Sequence, residues 1–249
     1  MTSRNTFSQV EIKNFESLAK EWWNESGKFK ALHKINPTRL KFILNCLSSY
    51  RNQKATDNLS LRGIKILDVG CGGGLISEPL SRLGADVTAI DAGRDTIQVA
   101  KYHAELNNLN ITYIQCAPET LINKNLRFDI VISLEVIEHV TDINLFIGTM
   151  TQLLTPSGAL ILGTINRTIK SLVFAKVGAE YIFNWVPRGT HNWAKFLRPT
   201  ELINLLKSHG LVLNEMRGVV FDPVENEWSL SSNLNINYLA WFSGKKKPQ

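Results

Sequence analysis

A chain of 249 residues, 44% hydrophobic and 20% charged, has enough apolar material for a sizeable core. Its 28 Lys and Arg against 22 Asp and Glu leave a net charge of +6, which favours an anionic partner such as a phosphate-bearing ligand, nucleic acid or an anionic membrane. Three scattered cysteines, Cys46, Cys71 and Cys116, with no CxxC pair, argue against a disulfide framework or zinc site and for a reducing compartment. The first residues lack the apolar core of a signal peptide, and no run of about 20 uncharged apolar residues exists to span a bilayer.

Phe15, Leu18, Ala19 and Trp22 fall on one helical face, so residues 9–23 are expected to form a helix ending at Trp22-Trp23. Those tryptophans either cap a ligand pocket or pack. Asn36-Pro37 reads as a helix start, with Leu40, Ile43, Leu44 and Leu47 following at helical spacing. Arg39 would then sit in the first turn, where a cation opposes the helix dipole, which suggests that it serves a carboxylate elsewhere. The polar run 48–60 reads as a loop.

From residue 64 strands and helices alternate. Ile64–Val69 predicts a strand running into Gly70-Cys71-Gly72-Gly73-Gly74, and a helix through Leu80 ends at Gly84. Further strands are expected at Asp86–Ile90, Ile111–Gln115, Phe128–Ser133 and Ala159–Thr164, with helices over 95–107 and 142–154 and a turn at Thr155–Gly158. Such βα units imply a doubly wound, mostly parallel α/β sheet, seven-stranded once Leu211–Arg217 and Ile236–Phe242 close it. A helix over Thr200–His209 and a hairpin around Phe221–Ser232 complete the chain, and Lys245–Lys247 reads as a disordered tail. The expected organisation is a single domain: a helical extension over 1–62, a cofactor-binding half over 63–166, an insert over 167–198 and a closing part over 199–249. In the insert, six Lys or Arg face one acid, Glu180, among many apolar residues. That composition suits either an interfacial segment on an anionic membrane or a lid over the sheet.

Ligands of open α/β sheets bind at the carboxyl ends of the strands. There this sequence places the glycines, then Asp91 about 20 residues beyond Gly70, then Ala117, then Leu134, Glu135, Glu138 and His139. Asp91 is where a ribose hydroxyl pair would be held. The third glycine comes one residue earlier than in a G-x-G-x-x-G dinucleotide loop, and an acid, Asp68, precedes it. An acid there suits a cationic ligand rather than a diphosphate. S-adenosylmethionine carries an ammonium and a sulfonium, so the chemistry points to methyl transfer.

Asp68–Gly74, Asp91 and the strand-four block resemble the class I S-adenosylmethionine-dependent methyltransferases. Phe29–Pro37, Gln98–Lys101, Glu135–Val140, Val177–Tyr181 and Val186–His191 are similar to the ubiquinone biosynthesis O-methyltransferase family, over about residues 11–242. The resemblance implies methylation of a hydroxyl of a polyprenyl catechol (2-polyprenyl-6-hydroxyphenol) and of 3-demethylubiquinol. It also implies cofactor contacts from Arg39, Gly70, Asp91 and Leu134, with Asp68, Gly72, Gly74 and Ala117 beside them. Glu135, Glu138 and His139 are associated with magnesium in such relatives, and the insert with membrane lipid. A cytoplasmic protein held peripherally on the inner membrane, near other ubiquinone-biosynthesis enzymes, is therefore expected. Ile169 and Lys176 depart from the family pattern inside the insert.

A catechol hydroxyl is mostly protonated at neutral pH. Three routes to its activation are open: His139 as general base, His191 as general base, or a magnesium ion on Glu135 and Glu138 that lowers the phenol pKa. Two other functions compete. One is an inactive lipid-binding protein of the same fold, disfavoured by the intact glycine loop and Asp91. The other is a nucleic-acid methyltransferase, disfavoured because no Asn-Pro-Pro-Tyr block follows strand four and no nucleic-acid module is appended.

Overall fold

The structure is a computed structural model that describes residues 12, 19–51, 59–173 and 193–244. A long helix, α1 (Lys30–Tyr50), precedes the first strand, β1 (Lys65–Val69). The chain then alternates: α2 (Ser77–Arg82), β2 (Asp86–Asp91), α3 (Arg94–Leu106), β3 (Ile111–Gln115), α4 (Glu119–Ile122), β4 (Phe128–Leu134), α5 (Ile143–Gln152) and β5 (Leu154–Ile165). After α6 (Ile169–Val173) and α7 (Pro199–Ser208) come three antiparallel strands, β6 (Leu211–Asp222), β7 (Glu227–Ser231) and β8 (Asn237–Gly244).

The strands form one sheet in the order β3-β2-β1-β4-β5-β8-β6-β7. Pairing is parallel from β3 to β5 and antiparallel from β5 outward. The order reverses between β1 and β4, which opens a crevice at their carboxyl ends. Successive residues of a strand face opposite sides, and here both sides are covered. Ile66 joins Phe42, Ile43 and Leu47 of α1 in one core, while Leu67 and Val69 join Phe146, Ile147 and Met150 of α5 in the other. Side chains so buried each contribute about 1.5–3 kcal/mol by leaving water.

The sheet has eight strands where seven were expected. The hairpin around Phe221–Ser232 supplies the eighth: β6 continues beyond its pairing with β8 at Arg217↔Leu239 and zips with β7 from Gly218↔Ser231 to Asp222↔Glu227. Thr38 Oγ1 of α1 donates to the Trp228 carbonyl at 2.8 Å, so the overhang is held from below. The expected turn at Thr155–Gly158 is instead a bulge within β5, because Phe128 pairs with Leu154 and Ile130 next pairs with Ala159.

The helix start expected at Asn36-Pro37 lies inside α1, which begins at Lys30. Burial of Phe29 and Ile35 holds the first two turns, and a proline there removes a single ladder bond. Asn36 is no cap. Its side-chain amide donates to the Leu75 carbonyl at 2.9 Å and ties α1 to the end of the glycine loop. The dipole mismatch inferred for Arg39 therefore falls away, since Arg39 is well inside the helix. Of the helix expected over 9–23, Ile12 is helical and Ala19–Glu21 is a 3-10 turn; residues 13–18 lie outside the described residues. So do 174–192 of the insert and the Lys245–Lys247 tail.

Candidate active site

The glycine loop closes over the end of β1 and is pinned to β2. Gly70 and Cys71 donate their N–H groups to the Ile90 carbonyl at 2.8 and 3.0 Å. Gly70, Gly72 and Gly74 have φ of +73, +54 and +94°, where a side chain is strained. Packing adds a second reason for glycine. A Cβ on Gly70 would lie 2.3 Å from Val136, one on Gly72 or Gly73 would lie 2.1 or 2.0 Å from Trp22, and one on Gly74 would lie 2.3 Å from the Tyr113 hydroxyl. The loop is thus walled by side chains from three other segments.

Asp91 stands beside the loop at the end of β2. One carboxylate oxygen accepts from Gly72 N–H at 3.1 Å and the other from Gly93 N–H at 2.8 Å. Each oxygen has further lone pairs, so a hydroxyl pair could still be accepted. Asp68 lies beneath, 4% exposed, and takes a 2.6 Å hydrogen bond from Ser77 Oγ. Burial pushes its carboxyl up to about 7 against the pull of the Ser77 bond, and the Asp91 charge adds to the rise. An arriving cation would draw it back to the charged form.

Ala117, after β3, lies on the wall of a cleft of about 670 Å³ between α4 and α5. Glu119 and Thr149 lie on that wall too, and both Glu119 carboxylate oxygens and the Thr149 hydroxyl are buried with no hydrogen-bond partner among the described residues. Leu134 ends β4 in register with Gly163 of β5.

Glu135, Glu138 and His139 follow in a turn rather than on a helix, so the helical i, i+3 spacing does not apply. Glu135 has φ of +56° and turns its carboxylate to the Arg39 guanidinium at 2.8 Å. Arg39 does serve a carboxylate, and it is this one. Glu138 is 4% exposed; Thr164 Oγ1 donates to one of its oxygens at 2.8 Å, and the other is buried with no hydrogen-bond partner among the described residues. Burial first, then the Glu135 charge, push the Glu138 carboxyl up to about 7. Among the described residues no three His, Cys, Asp or Glu side chains stand close enough to hold a metal ion. Glu135 pairs with Arg39, and the second Glu138 oxygen is closed off from solvent. His191 lies outside the described residues.

A methyltransferase-domain family model matches residues 45–215. A ubiquinone biosynthesis O-methyltransferase of Pelagibacter ubique is 44% identical over 238 residues, spanning 96% of this chain and 98% of that protein. The protein of the same name from Bartonella tribocorum is 44% identical over 237 residues, spanning 95% and 96%. The chain belongs to the ubiquinone biosynthesis O-methyltransferase family. Solved structures place that family in a wider fold. Magnesium protoporphyrin IX methyltransferase from Synechocystis PCC 6803 superposes with a TM-score of 0.68 at 18% identity, over 95% of this chain and 99% of that one. A possible histamine N-methyltransferase from Thermotoga maritima superposes at 0.63 and 15%, over 94% and 99%. The fold is that of the class I methyltransferases, as the strand order indicates.

In this member of the family, the residues that wall the glycine loop were the ones hardest to read from sequence. Tyr113 is one aromatic in a strand, and Val136 is an ordinary core residue. Trp22 and Trp23, read from sequence as either capping a ligand pocket or packing, lie against the loop itself. Their partner glycines are far away along the chain, and spacing along a sequence carries no signal of such contacts.

Proposed function

We propose that the chain transfers a methyl group from S-adenosylmethionine to a hydroxyl of a polyprenyl catechol, and again to that of 3-demethylubiquinol, in ubiquinone biosynthesis. The observation that carries this reading is the pairing of Asp68 and Asp91 around one strained glycine loop: a buried acid whose charge wants a cation, beside an acid pinned to accept hydroxyls. The near full-length relatives supply the acceptor class by their name. The cofactor supplies an electrophilic methyl on a sulfonium.

Asp91 accepts from the ribose, Asp68 balances the ammonium through the loop, and Gly70, Gly72 and Gly74 let the ligand approach the main chain. Ala117 and Leu134, which follow β3 and end β4, would flank the base. Arg39 holds Glu135 and keeps donors free for the ligand carboxylate. Removal of the phenol proton falls to His139, with His191 as the alternative. Such a base contributes typically ~10²–10⁴-fold. If magnesium takes part, Glu135 and Glu138 would be the residues to hold it, and it would lower the pKa of the phenol.

The test is a radiolabelled-methyl assay on a short-chain demethylubiquinol, together with Asp91→Ala. Turnover by the wild type and at least tenfold weaker S-adenosylmethionine binding by the variant are expected, since a hydrogen bond to a charged group is worth about 1.5–3 kcal/mol. No methyl transfer would favour the inactive lipid-binding alternative.

We further propose that the region around 167–198 meets an anionic membrane, as an acceptor with an isoprenoid tail requires. Six Lys or Arg against one acid within 167–198, with Ile169 77% exposed and Trp193 36% exposed at its two ends, would suit an anionic lipid surface. No described helix is long and apolar enough to cross a membrane, so the contact would be peripheral. Co-flotation with anionic liposomes is expected; its absence would favour a lid.

A further inference from the structure

The outer side of the glycine loop is covered by a chain of contacts that the reaction chemistry does not use. Glu78, at the second residue of α2, is 1% exposed and has both oxygens occupied, by His103 Nδ1 at 2.6 Å and by Arg82 Nη2 at 2.9 Å. The hydrogen bond to Glu78 fixes the imidazole of His103, which projects from α3. The indole of Trp23 stacks on it with ring centroids 3.5 Å apart and planes 6° apart. Trp23 Nε1 in turn donates to the Gly73 carbonyl at 3.0 Å. Trp22 fills the space above Gly72 and Gly73, and its own carbonyl is bonded to His33 Nε2 of α1 at 2.8 Å. Three helices therefore press the tryptophan pair onto two residues of the loop.

We propose that Trp23 and His103 are positioning residues of the cofactor site, acting on it through Gly73. The Gly73 carbonyl is one peptide away from Gly72 N–H, which bonds Asp91. A loop free to shift at Gly73 would move that N–H and with it the carboxylate that receives the ribose. The buried Glu78 anchors the stack, and the stack holds the loop in the conformation that Gly72 and Asp91 need. Its role is to pre-order the loop, so that binding does not bear the cost of ordering it. This inference rests on the reading of the loop and Asp91 as the cofactor cradle.

The test measures S-adenosylmethionine affinity by calorimetry, kcat, KM and melting temperature on the full chain carrying Trp23→Phe, His103→Gln or Asp91→Ala. Phe keeps the stack and loses only the N–H donor. Gln keeps a donor toward Glu78 and loses the ring. About fivefold weaker binding is expected for Trp23→Phe, as for loss of one ordinary hydrogen bond, and a loss in the same direction for His103→Gln. The loss should appear in KM, with kcat held and melting temperature lowered by no more than the few degrees that one hydrogen bond is worth. Weakened binding in Asp91→Ala with wild-type binding in the other two overturns the inference and leaves the cradle standing. Unchanged binding in Asp91→Ala overturns the cradle and the inference with it. Variants that lose melting temperature with KM unmoved make the stack mere packing and overturn the inference as well.

Discussion

At the scale of single residues, the glycines of the loop are overdetermined. Gly72 has a left-handed φ and also lies where any Cβ would meet Trp22 at 2.1 Å. Gly72→Ala should cost about 2–5 kcal/mol, from backbone strain and overpacking together, measured as a shift in the urea midpoint. A Trp22→Ala, Gly72→Ala double variant should lose less than the sum of the two single changes, because the clash disappears with the indole. Additive losses would show that backbone strain acts alone. The acids of the site are single-residue features too, and their types were legible: Asp68 and Asp91 sit where a strand-glycine pattern puts them. Their states were not. Only burial and the Ser77 bond make Asp68 different from any surface aspartate.

At the scale of elements, local signals were reliable where the pattern was regular and failed where a distant partner decided. The parallel strands and the helices between them follow from periodicity, and apart from the start of β5, which takes in the expected turn, their observed ends fall close to those expected. The start of α1 does not, because Asn36-Pro37 is a good helix opening only if nothing buries the residues before it. Phe29 and Ile35 are buried against the rest of the fold, and the helix runs back to meet them. The hairpin was visible as a turn at Asp222-Pro223, but its rank as a sheet strand depends on β6 outrunning β8. Thr38→Val removes the hydroxyl that holds the Trp228 carbonyl. It should cost about 1 kcal/mol in chemical denaturation, with hydrogen exchange rising first in β7. Uniform exchange across the sheet would mean that the tie carries no local role.

At the scale of the whole molecule, pH links stability to the site. The Asp68 carboxyl is at about 7 in the folded chain against 3.8 when exposed. The folded state therefore binds more protons than the unfolded state between those values, and stability falls as pH rises from about 4 to 7 and levels off above. In a chain of this size about 1 kcal/mol moves Tm by roughly 2–4 °C, so a decline of several degrees is expected in thermal melts of the ligand-free protein. Glu138, whose buried carboxyl is likewise raised to about 7, adds to the same slope, so Asp68→Asn should lessen it and Glu138→Gln should lessen it further. Affinity for a cationic ligand runs the other way, strengthening through neutral pH as Asp68 ionises, and calorimetry at pH 6 and 8 would show it. An unchanged melting slope in Asp68→Asn would place the titration on another group.

The sequence by itself determined the repeating βα architecture, the glycine corner, the acid that follows β2 and the likeness to one family of methyltransferases. These are local or nearly local: a period of two or of 3.6 residues, a glycine where the backbone must turn, an acid at a strand end. Tertiary structure decided the rest. It set the eighth strand, the true start of α1, the pairing of Glu135 with Arg39, and the tryptophans that close over Gly72 and Gly73. Each of these depends on contacts between residues far apart in the chain. Such contacts follow from how two faces of a sheet are covered, which no window of sequence contains.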